Sequence, residues 1–289
     1  MNYQINTIDI EKILKNYDAI FLDSFGVLID GKNLINGADK FIDRLNIEKF
    51  PYMILTNDAS VSNKNRSENF NKLGINLSPE KIISAGDLIQ YFMKEKNIIE
   101  YPCVVLGSKD THEFALKSKV NIINIEQLNQ SRSIIIGHSK PYDWEETLNL
   151  LLNLLSEKVS KNENYDVIFP NPDFLYPNGN SKYGFGSASF GYLLESGFKK
   201  LYKDYKKIIF HKLGKPNEMI FRIAKQRINS IKPIMIGDQL ETDILGGNNF
   251  GIDTALVLTG LDSNAFNQKN LYLTENMLPK YILSSLTKR

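Results

Sequence analysis

Short apolar runs alternate along the chain with longer segments of mixed polarity. The run 19–22 is continuously apolar and is followed by Asp23, and the runs 52–55, 234–236 and 254–258 have a similar character. Continuous apolar runs of this length are typical of strands buried on both faces of a parallel sheet. The pattern therefore predicts an α/β fold with a mainly parallel sheet.

The segments between these runs carry apolar residues at helical spacing. One helical face follows the first run and another follows the run 208–210, with Pro216 near its first turn. These faces are formed by Ala38, Phe41, Ile42 and Leu45, and by Met219, Ile220, Ile223 and Ala224. Such alternation of strand and helix is typical of a sheet covered by helices.

A stretch in the middle of the chain has apolar runs and a helix of its own. The strongly apolar helix begins near Trp144, and three strand-like runs accompany it at 104–106, 134–136 and 167–169. These elements are sufficient for a second, inserted α/β unit.

Clusters of turn-forming residues mark the limits of this inserted unit as candidate hinges, at 84–86 and at 178–184. We therefore predict an inserted α/β domain at 84–182, within a core made of residues 1–83 and 183–289.

The composition of the 289 residues is that of an ordinary globular protein, with 42% hydrophobic and 24% charged side chains. The 35 basic and 33 acidic residues nearly balance, and no basic block argues for a nucleic-acid partner. Because no apolar run approaches eighteen residues and no signal-peptide pattern opens the chain, we expect no membrane partner and a cytoplasmic location. The single cysteine, Cys103, is expected to be a buried small side chain.

Four polar segments stand at or just beyond predicted strands, far apart in sequence. Open α/β sheets bind ligands at the carboxyl ends of their strands, so these segments are expected to meet. They are Asp23-Ser24-Phe25-Gly26-Val27-Leu28, Thr56-Asn57-Asp58, Gly214-Lys215-Pro216 and Gly237-Asp238-Gln239-Leu240-Glu241-Thr242-Asp243.

The first three segments offer the parts of a phosphoryl-transfer site. The carboxylate of Asp23 can attack phosphorus, and Gly26 permits a sharp turn that brings amides close to a phosphate. Thr56 and Asn57 can donate hydrogen bonds to phosphoryl oxygens, and Lys215 can neutralise developing negative charge. Each also has an ordinary interpretation on its own, as a turn-initiating Asp or a solvated surface lysine.

The fourth segment suggests a metal site. Its paired carboxylates, Asp238 and Asp243, suit Mg²⁺, a hard cation that prefers oxygen ligands and keeps several waters. We expect Asp238 to coordinate directly with Asp23 and the main-chain carbonyl of Phe25, while Asp243 holds a metal-bound water or braces Lys215. The alternative is that these residues simply begin a helix.

In combination and order, the four segments resemble the signature motifs of the haloacid-dehalogenase superfamily, and the chain is similar to its class IIA branch of nitrophenyl-phosphatase-like and predicted sugar-phosphatase proteins. The resemblance covers nearly the whole length and implies a Rossmann-like core, a large α/β cap inserted between the second and third motifs, and Mg²⁺-dependent hydrolysis of phosphate esters. Supporting segments are 84–87, 105–108, 171–173 and 246–251.

The chain departs from this family at Phe25. Typical phosphatases of the family carry an aspartate there, which protonates the leaving oxygen and then activates water. Phenylalanine has no proton to exchange, so the contribution of about a hundred- to ten-thousand-fold in rate is lost or supplied elsewhere. Asp58 and His211 are nearby candidates, although a turn or cap residue and a strand-end side chain are the stronger interpretations.

The leading hypothesis is therefore a Mg²⁺-dependent phosphohydrolase acting on a small phosphorylated metabolite, with good leaving groups favoured. Asn171 and Asp173, in the inserted unit, are the candidate substrate contacts, although they also read as an Asn-Pro turn.

Two other functions and one structural question remain open from the sequence. A catalytically weak sensor or scaffold that keeps the metal site is the runner-up, and a phosphotransferase or phosphomutase is a weaker third. A homodimer is left open, because the leucines and tyrosines of the inserted unit can face a core or a partner.

Overall fold

A computed structural model describes residues 5–138, 140–178, 182–260, 274–283 and 286–287. The candidate hinge at 178–184 lies partly outside the described residues, since residues 179–181 are not among them. Within the described ranges the chain forms two parallel sheets, each flanked by helices. The predicted α/β class is confirmed.

The larger sheet has seven strands, and every neighbouring pair in it is parallel. Its order is β1-β15-β14-β13-β2-β5-β6. These strands are β1 (Asn6–Ile8), β2 (Ala19–Leu22), β5 (Tyr52–Thr56), β6 (Ile82–Ser84), β13 (Pro233–Gly237), β14 (Asp253–Val257) and β15 (Tyr281–Leu283). The central strands β13, β2 and β5 are buried along their whole length, as their continuous apolar runs predict.

Helices surround this sheet and bury one apolar face each. They are α1 (Ile10–Asn16), α2 (Ala38–Ile47), α3 (Asn63–Lys72), α4 (Ala85–Glu95), α8 (Glu218–Ile228) and α9 (Leu245–Phe250). Both predicted helical faces are buried, the first on α2 and the second on α8. Two hydrophobic clusters result, one containing Phe41 with Ile20 and the other containing Phe221 with Phe21.

The smaller sheet has four parallel strands in the order β12-β9-β8-β7. They are β7 (Cys103–Leu106), β8 (Ser133–Ile136), β9 (Tyr165–Phe169) and β12 (Ile208–Lys212), accompanied by α5 (Lys109–Lys117), α6 (Trp144–Ser160) and α7 (Ser187–Leu201). Two short hairpins complete the described strands, β3 (Ile29–Asp30) with β4 (Asn33–Leu34) and β10 (Leu175–Pro177) with β11 (Tyr183–Phe185).

The predicted boundary at residue 182 is wrong for β12. The prediction places that strand in the core, but its full length is hydrogen-bonded to β9 of the smaller sheet. Ile208 and Phe210 of β12 also pack with residues of α6 and α7. The inserted unit therefore continues to about residue 212, where the chain returns to the larger sheet.

The segment at 84–86 is the end of a strand and the start of a helix, not a free hinge. Ser84 ends β6, and its N–H donates to Asp87 Oδ2 at 2.9 Å, so the two residues cap α4. Leu88 of α4 lies in one hydrophobic cluster with Phe114 of the inserted unit. The junction between the two sheets is thus packed.

Two other expectations concern apolar segments. Cys103 is fully buried in β7, and burial raises the pKa of its thiol to about 12, so it behaves as an inert core residue. Among the helices of the described ranges, none combines the length and the apolar character needed to cross a membrane.

Candidate active site

Three neighbouring strands of the larger sheet deliver polar residues to one edge. Asp23 follows β2, Thr56 ends β5 and Asp238 follows β13, and these strands are adjacent in the order β13-β2-β5. Asp23, Asp238 and Asp243 are all buried, and each offers a carboxylate oxygen within 4.8 Å of the others. The predicted meeting of distant segments therefore occurs.

Lys215 joins this cluster from the loop between β12 and α8. Its Nζ donates to Asp23 Oδ1 and to the carbonyl of Leu55 at 2.8 Å, and it forms an ion pair with Asp243 Oδ1 at 2.8 Å. The ammonium, which carries three protons, therefore faces three oxygens. Lys215 is buried, contrary to the alternative of a solvated surface lysine.

Asp243 braces the lysine and the end of β13. While one carboxylate oxygen pairs with Lys215, Oδ2 accepts from the N–H groups of Asp238 and Gln239 at 3.1 and 3.2 Å. A Cβ at Gly237 would lie 2.2 Å from this carboxylate, so only glycine allows the close approach. The fourth segment thus forms a short helical turn, Leu240–Ile244, that folds back on its own strand.

The turn after Asp23 brings the backbone close to the clustered carboxylates. Gly26 has φ +80°, and a Cβ there would lie 2.2 Å from the carboxylate of Asp238. The N–H of Gly26 donates to the carbonyl of Ile29 at 2.8 Å, so it is occupied within the turn. Gly26 therefore serves close packing here, rather than donating its own N–H to a phosphate.

Asn57 and Thr56 have different positions at the end of β5. The Asn57 side chain is fully engaged, with Lys215 backbone on one side and Asp173 Oδ1 at 2.7 Å on the other. It positions the lysine loop, which differs from the predicted contact with phosphate. The Thr56 hydroxyl accepts the N–H of Asp58 at 3.3 Å and keeps its own proton for donation.

The electrostatics of the cluster favour a bound cation. Three buried carboxylates face one buried ammonium, and burial raises the pKa of Asp23 although Lys215 opposes the shift. Burial also opposes the charge of Lys215, but Asp23 and Asp243 raise its pKa overall. Oxygen ligands with excess negative charge are the donor set that Mg²⁺ prefers, so the residues present fit this ion.

A cavity of about 280 Å³ opens above the cluster. The core contributes Asp23, Phe25, Thr56 and Lys215 to its lining, and the inserted unit contributes Asn171 and Asp173. Asn171 Oδ1 accepts the N–H of Asp173 at 2.8 Å, so the two residues do form a turn. Both candidate contacts of the inserted unit nevertheless line the same cavity as Asp23.

The two acid–base candidates near Phe25 do not fill the missing role. Asp58 is paired with Arg66 at 2.8 Å and accepts the N–H of Ser60 at 2.8 Å, and these bonds lower its pKa although burial opposes them. It is therefore an ionised turn residue. His211 lies on β12 and bonds Asp166 Oδ1 at 2.7 Å, and it does not line the cavity.

The titratable side chains of the inserted unit that line the cavity include Asp173 and His138. Burial raises the pKa of Asp173 to about 6, against the hydrogen bond from Asn57. Burial lowers the pKa of His138, which follows β8. His138 has no partner pattern of a metal site in the sequence; the one signal for it is its position one residue after Gly137, just past a strand.

Two family models match in succession along the chain. The first, a haloacid dehalogenase-like hydrolase, matches residues 20–121, and the second, described as HAD-hydrolase-like, matches residues 212–288. The second match begins where the chain leaves the smaller sheet.

Relatives and solved structures agree with these matches. The chain is 26% identical to the dihydroxyacetone phosphatase of Corynebacterium glutamicum, covering 84% of this chain and 82% of that protein. The crystal structure of a possible sugar phosphatase from Cytophaga hutchinsonii superposes with a TM-score of 0.81 at 26% identity, covering 99% of this chain and 100% of that one. The glycerol phosphate phosphatase of Mycobacterium tuberculosis, solved with magnesium, has a TM-score of 0.76 at 19% identity over 95% and 77%.

The smaller sheet is inserted between the second and third motifs, after Thr56 and before Lys215, which is the arrangement of the class IIA branch. Because of this insertion, the two family-model matches and the similar solved structure, the chain belongs to the class IIA branch of the haloacid-dehalogenase superfamily.

Proposed function

We propose that this phosphatase of the haloacid-dehalogenase superfamily hydrolyses a small phosphorylated metabolite with Mg²⁺, through a phosphoryl intermediate on Asp23. One observation carries the proposal. The Asp23 carboxylate contacts the buried ammonium of Lys215, with two further carboxylates alongside, at the floor of a cavity lined by both units. The dihydroxyacetone and glycerol phosphate phosphatases among the similar proteins support a small substrate.

The reaction would proceed in two displacements. In the first, an Asp23 oxygen attacks phosphorus, and the bond from phosphorus to the leaving oxygen breaks with its electron pair. In the second, water attacks the same phosphorus, the Asp23–phosphorus bond breaks, and inorganic phosphate is released with the carboxylate restored. Two easier steps thus replace one difficult hydrolysis.

The residues around Asp23 would stabilise the charge that develops during both steps. Lys215 holds a fixed positive charge beside the attacking oxygen, and the Thr56 hydroxyl can donate to a phosphoryl oxygen. Asp23, Asp238 and the Phe25 carbonyl would hold Mg²⁺, with Asp243 bracing Lys215. When bound, the ion supplies positive charge against the phosphoryl oxygens.

Leaving groups that need a proton are expected to react slowly. Phe25 lines the cavity where the family usually places an acid, and Asp58 is already ionised and paired. Acyl and aryl phosphates release weakly basic anions and do not require protonation to the same degree. We therefore propose a preference for such substrates over simple hexose phosphates.

Phosphate release from acetyl phosphate, 4-nitrophenyl phosphate and hexose phosphates with Mg²⁺ tests this function. Asp23→Asn should abolish release and prevent trapping of a phosphorylated enzyme by acid quench. Asp43→Asn, which changes an exposed carboxylate on α2, is the matched control and should retain both. Equal rates on all three substrates would contradict the leaving-group preference.

Phe25 also favours a second function, a sensor that binds a phosphate ligand without efficient turnover. Such a sensor would keep the carboxylates for the metal ion and the ammonium of Lys215, but it would lack a group that transfers a proton to the leaving oxygen. Binding of inorganic phosphate with Mg²⁺, together with no turnover of any phosphate ester by the parent protein, would support the sensor and exclude the enzyme.

A further inference from the structure

The hairpin β10–β11 presents apolar side chains to the active-site cavity. Leu175, Tyr176 and Phe185 line this cavity together with Phe25 of the core. The three hairpin residues are 39%, 40% and 62% exposed, which is high for large apolar side chains beside a catalytic cluster. Contiguous exposed apolar side chains mark ligand-binding grooves or interaction sites.

The hairpin is held close to the end of the cavity that contains Asp23 and Lys215. Asp173, whose carboxylate accepts a hydrogen bond from Asn57, is only two residues before Leu175. Two residues of chain span at most about 7 Å, so the apolar wall begins next to the lysine loop.

The base of the hairpin is held by a small set of contacts. The carbonyl of Phe174 accepts from the N–H of Gly186 at 2.9 Å and from the hydroxyl of Ser189. The Phe174 ring packs edge to face on Phe185, with centroids 5.9 Å apart. These contacts orient Phe185 at the cavity.

Tyr176 is positioned by a glycine on the opposite strand. Gly184 pairs with Tyr176 across the hairpin, and a Cβ at Gly184 would lie 2.4 Å from the tyrosine ring. The Tyr176 ring therefore lies directly against the backbone of β11 at Gly184, and this close contact fixes the position of the ring.

We propose that this hairpin and Phe25 recognise an aromatic ring in the leaving group, so that the preferred substrates are phosphate monoesters carrying a single ring. This inference rests on the proposed function and narrows its substrate class. A cavity of about 280 Å³ is slightly below the usual range of ligand pockets, so one ring and a phosphate suit it better than a dinucleotide. Aromatic side chains prefer stacked or edge-to-face contact with another ring.

Two properties of an aryl substrate fit the cavity independently. A phenolate leaves without strong need of a proton, which matches Phe25, and a ring matches the apolar wall. The experiment must separate them, so the leaving-group chemistry has to be held constant while the ring is varied.

The comparison of 2-phenylethyl phosphate with propyl phosphate meets this requirement, since both release primary alkoxides of similar basicity. We expect wild-type kcat/KM to be about tenfold higher for the phenylethyl ester, the size of one good ring contact. Tyr176→Ala and Phe185→Ala should each reduce this ratio to about twofold or less, whereas Tyr176→Phe should keep it.

Tyr183→Ala is the matched control. Tyr183 is on the same hairpin and 57% exposed, but it does not line the cavity. It should leave the ratio unchanged and should hydrolyse acetyl phosphate, which has no ring, at the wild-type rate.

Three results would overturn the inference: no preference in the wild type, an equal effect of Tyr183→Ala, or a changed mass in solution with an unchanged ratio. The last would assign the hairpin to self-association. If wild type hydrolyses acetyl phosphate with Asp23 but shows no ring preference, only this inference fails. If it hydrolyses nothing, the proposed function fails first.

Discussion

The side chain of Asn57 is hydrogen-bonded to both backbone polar groups of Lys215. Asn57 Oδ1 accepts the Lys215 N–H at 2.7 Å, and Nδ2 donates to the Lys215 carbonyl at 3.0 Å. The second segment therefore holds the third in place, although 158 residues separate them. Nδ2 also reaches Asp173, so the same amide connects the lysine loop to the inserted unit.

Asn57→Ala is predicted to lower kcat by about a hundredfold with a smaller change in KM, because the lysine loop loses its position beside Asp23. Steady-state kinetics on 4-nitrophenyl phosphate measures this, with Asn65→Ala on α3 as the control. If Asn57 acts through Lys215, Asn57→Ala should have little further effect in a Lys215→Ala background. Fully additive effects in this cycle would refute the positioning role.

Phe25→Asp is predicted to speed the hydrolysis of alkyl phosphates. It places a proton-exchanging group at the cavity wall, and such groups typically contribute about 10²- to 10⁴-fold. The rate on 4-nitrophenyl phosphate should show no such gain, since nitrophenolate leaves without a proton and its ring loses the contact with Phe25.

Phe25→Asn is the appropriate control for this gain of function. It has nearly the same shape as aspartate and loses the same packing of the half-buried phenyl ring, but it cannot transfer a proton. An aspartate variant no faster than the asparagine variant on glycerol phosphate would show that the missing acid does not limit the reaction.

The pair Asp58–Arg66 is predicted to make stability depend on acid pH. The pKa of Asp58 is lowered in the folded protein, so its contribution is present above the unfolded value of about 3.9 and is lost as pH falls through the folded value. Asp58→Asn leaves a buried guanidinium without its carboxylate and should cost about 3 kcal/mol at pH 7.

Denaturant unfolding at pH 7 and between pH 5 and 3 measures both effects. The wild type should lose more stability over the acid range than Asp58→Asn does, and the exposed variant Asp43→Asn should follow the wild type. Parallel acid losses in wild type and Asp58→Asn would mean that other carboxylates control the transition.

The meeting of Asp23, Thr56 and Asp238 could be predicted from sequence for a geometric reason. Each follows or ends a continuous apolar run, and parallel strands place their carboxyl ends at one edge. The sequence does not reveal which strands are neighbours, but any order brings these residues to the same side of the sheet. Local patterns were therefore sufficient for this part of the site.

The assignment of β12 could not be made in the same way. Its apolar start resembles that of the core strands, and its partner is decided by long-range packing with β9. One local signal was available, since β12 ends in His211 and Lys212, as suits a half-exposed edge strand. The hydrogen bonds between the Asn57 side chain and the Lys215 backbone likewise join two loops that are distant in sequence, and no local sequence pattern predicts them.

Asp238 and Asp243 are predicted to respond differently to substitution, because their environments differ. Asp243 bonds Lys215 and two amides, so Asp243→Asn should lower stability without metal. Asp238 adds a third buried carboxylate to a cluster with one ammonium, so Asp238→Asn also reduces repulsion and should lower metal-free stability less than Asp243→Asn does.

Thermal unfolding in EDTA and in excess Mg²⁺ measures the difference. A ligand at 100 times its Kd stabilises by about 2.7 kcal/mol, which for a chain of this size raises Tm by roughly 5 to 10 °C. This shift should appear in the wild type and in Asp43→Asn and disappear in Asp238→Asn. A full Mg²⁺-dependent shift in Asp238→Asn would remove that carboxylate from the metal site, because a direct ligand cannot be lost without weakening the ion's binding.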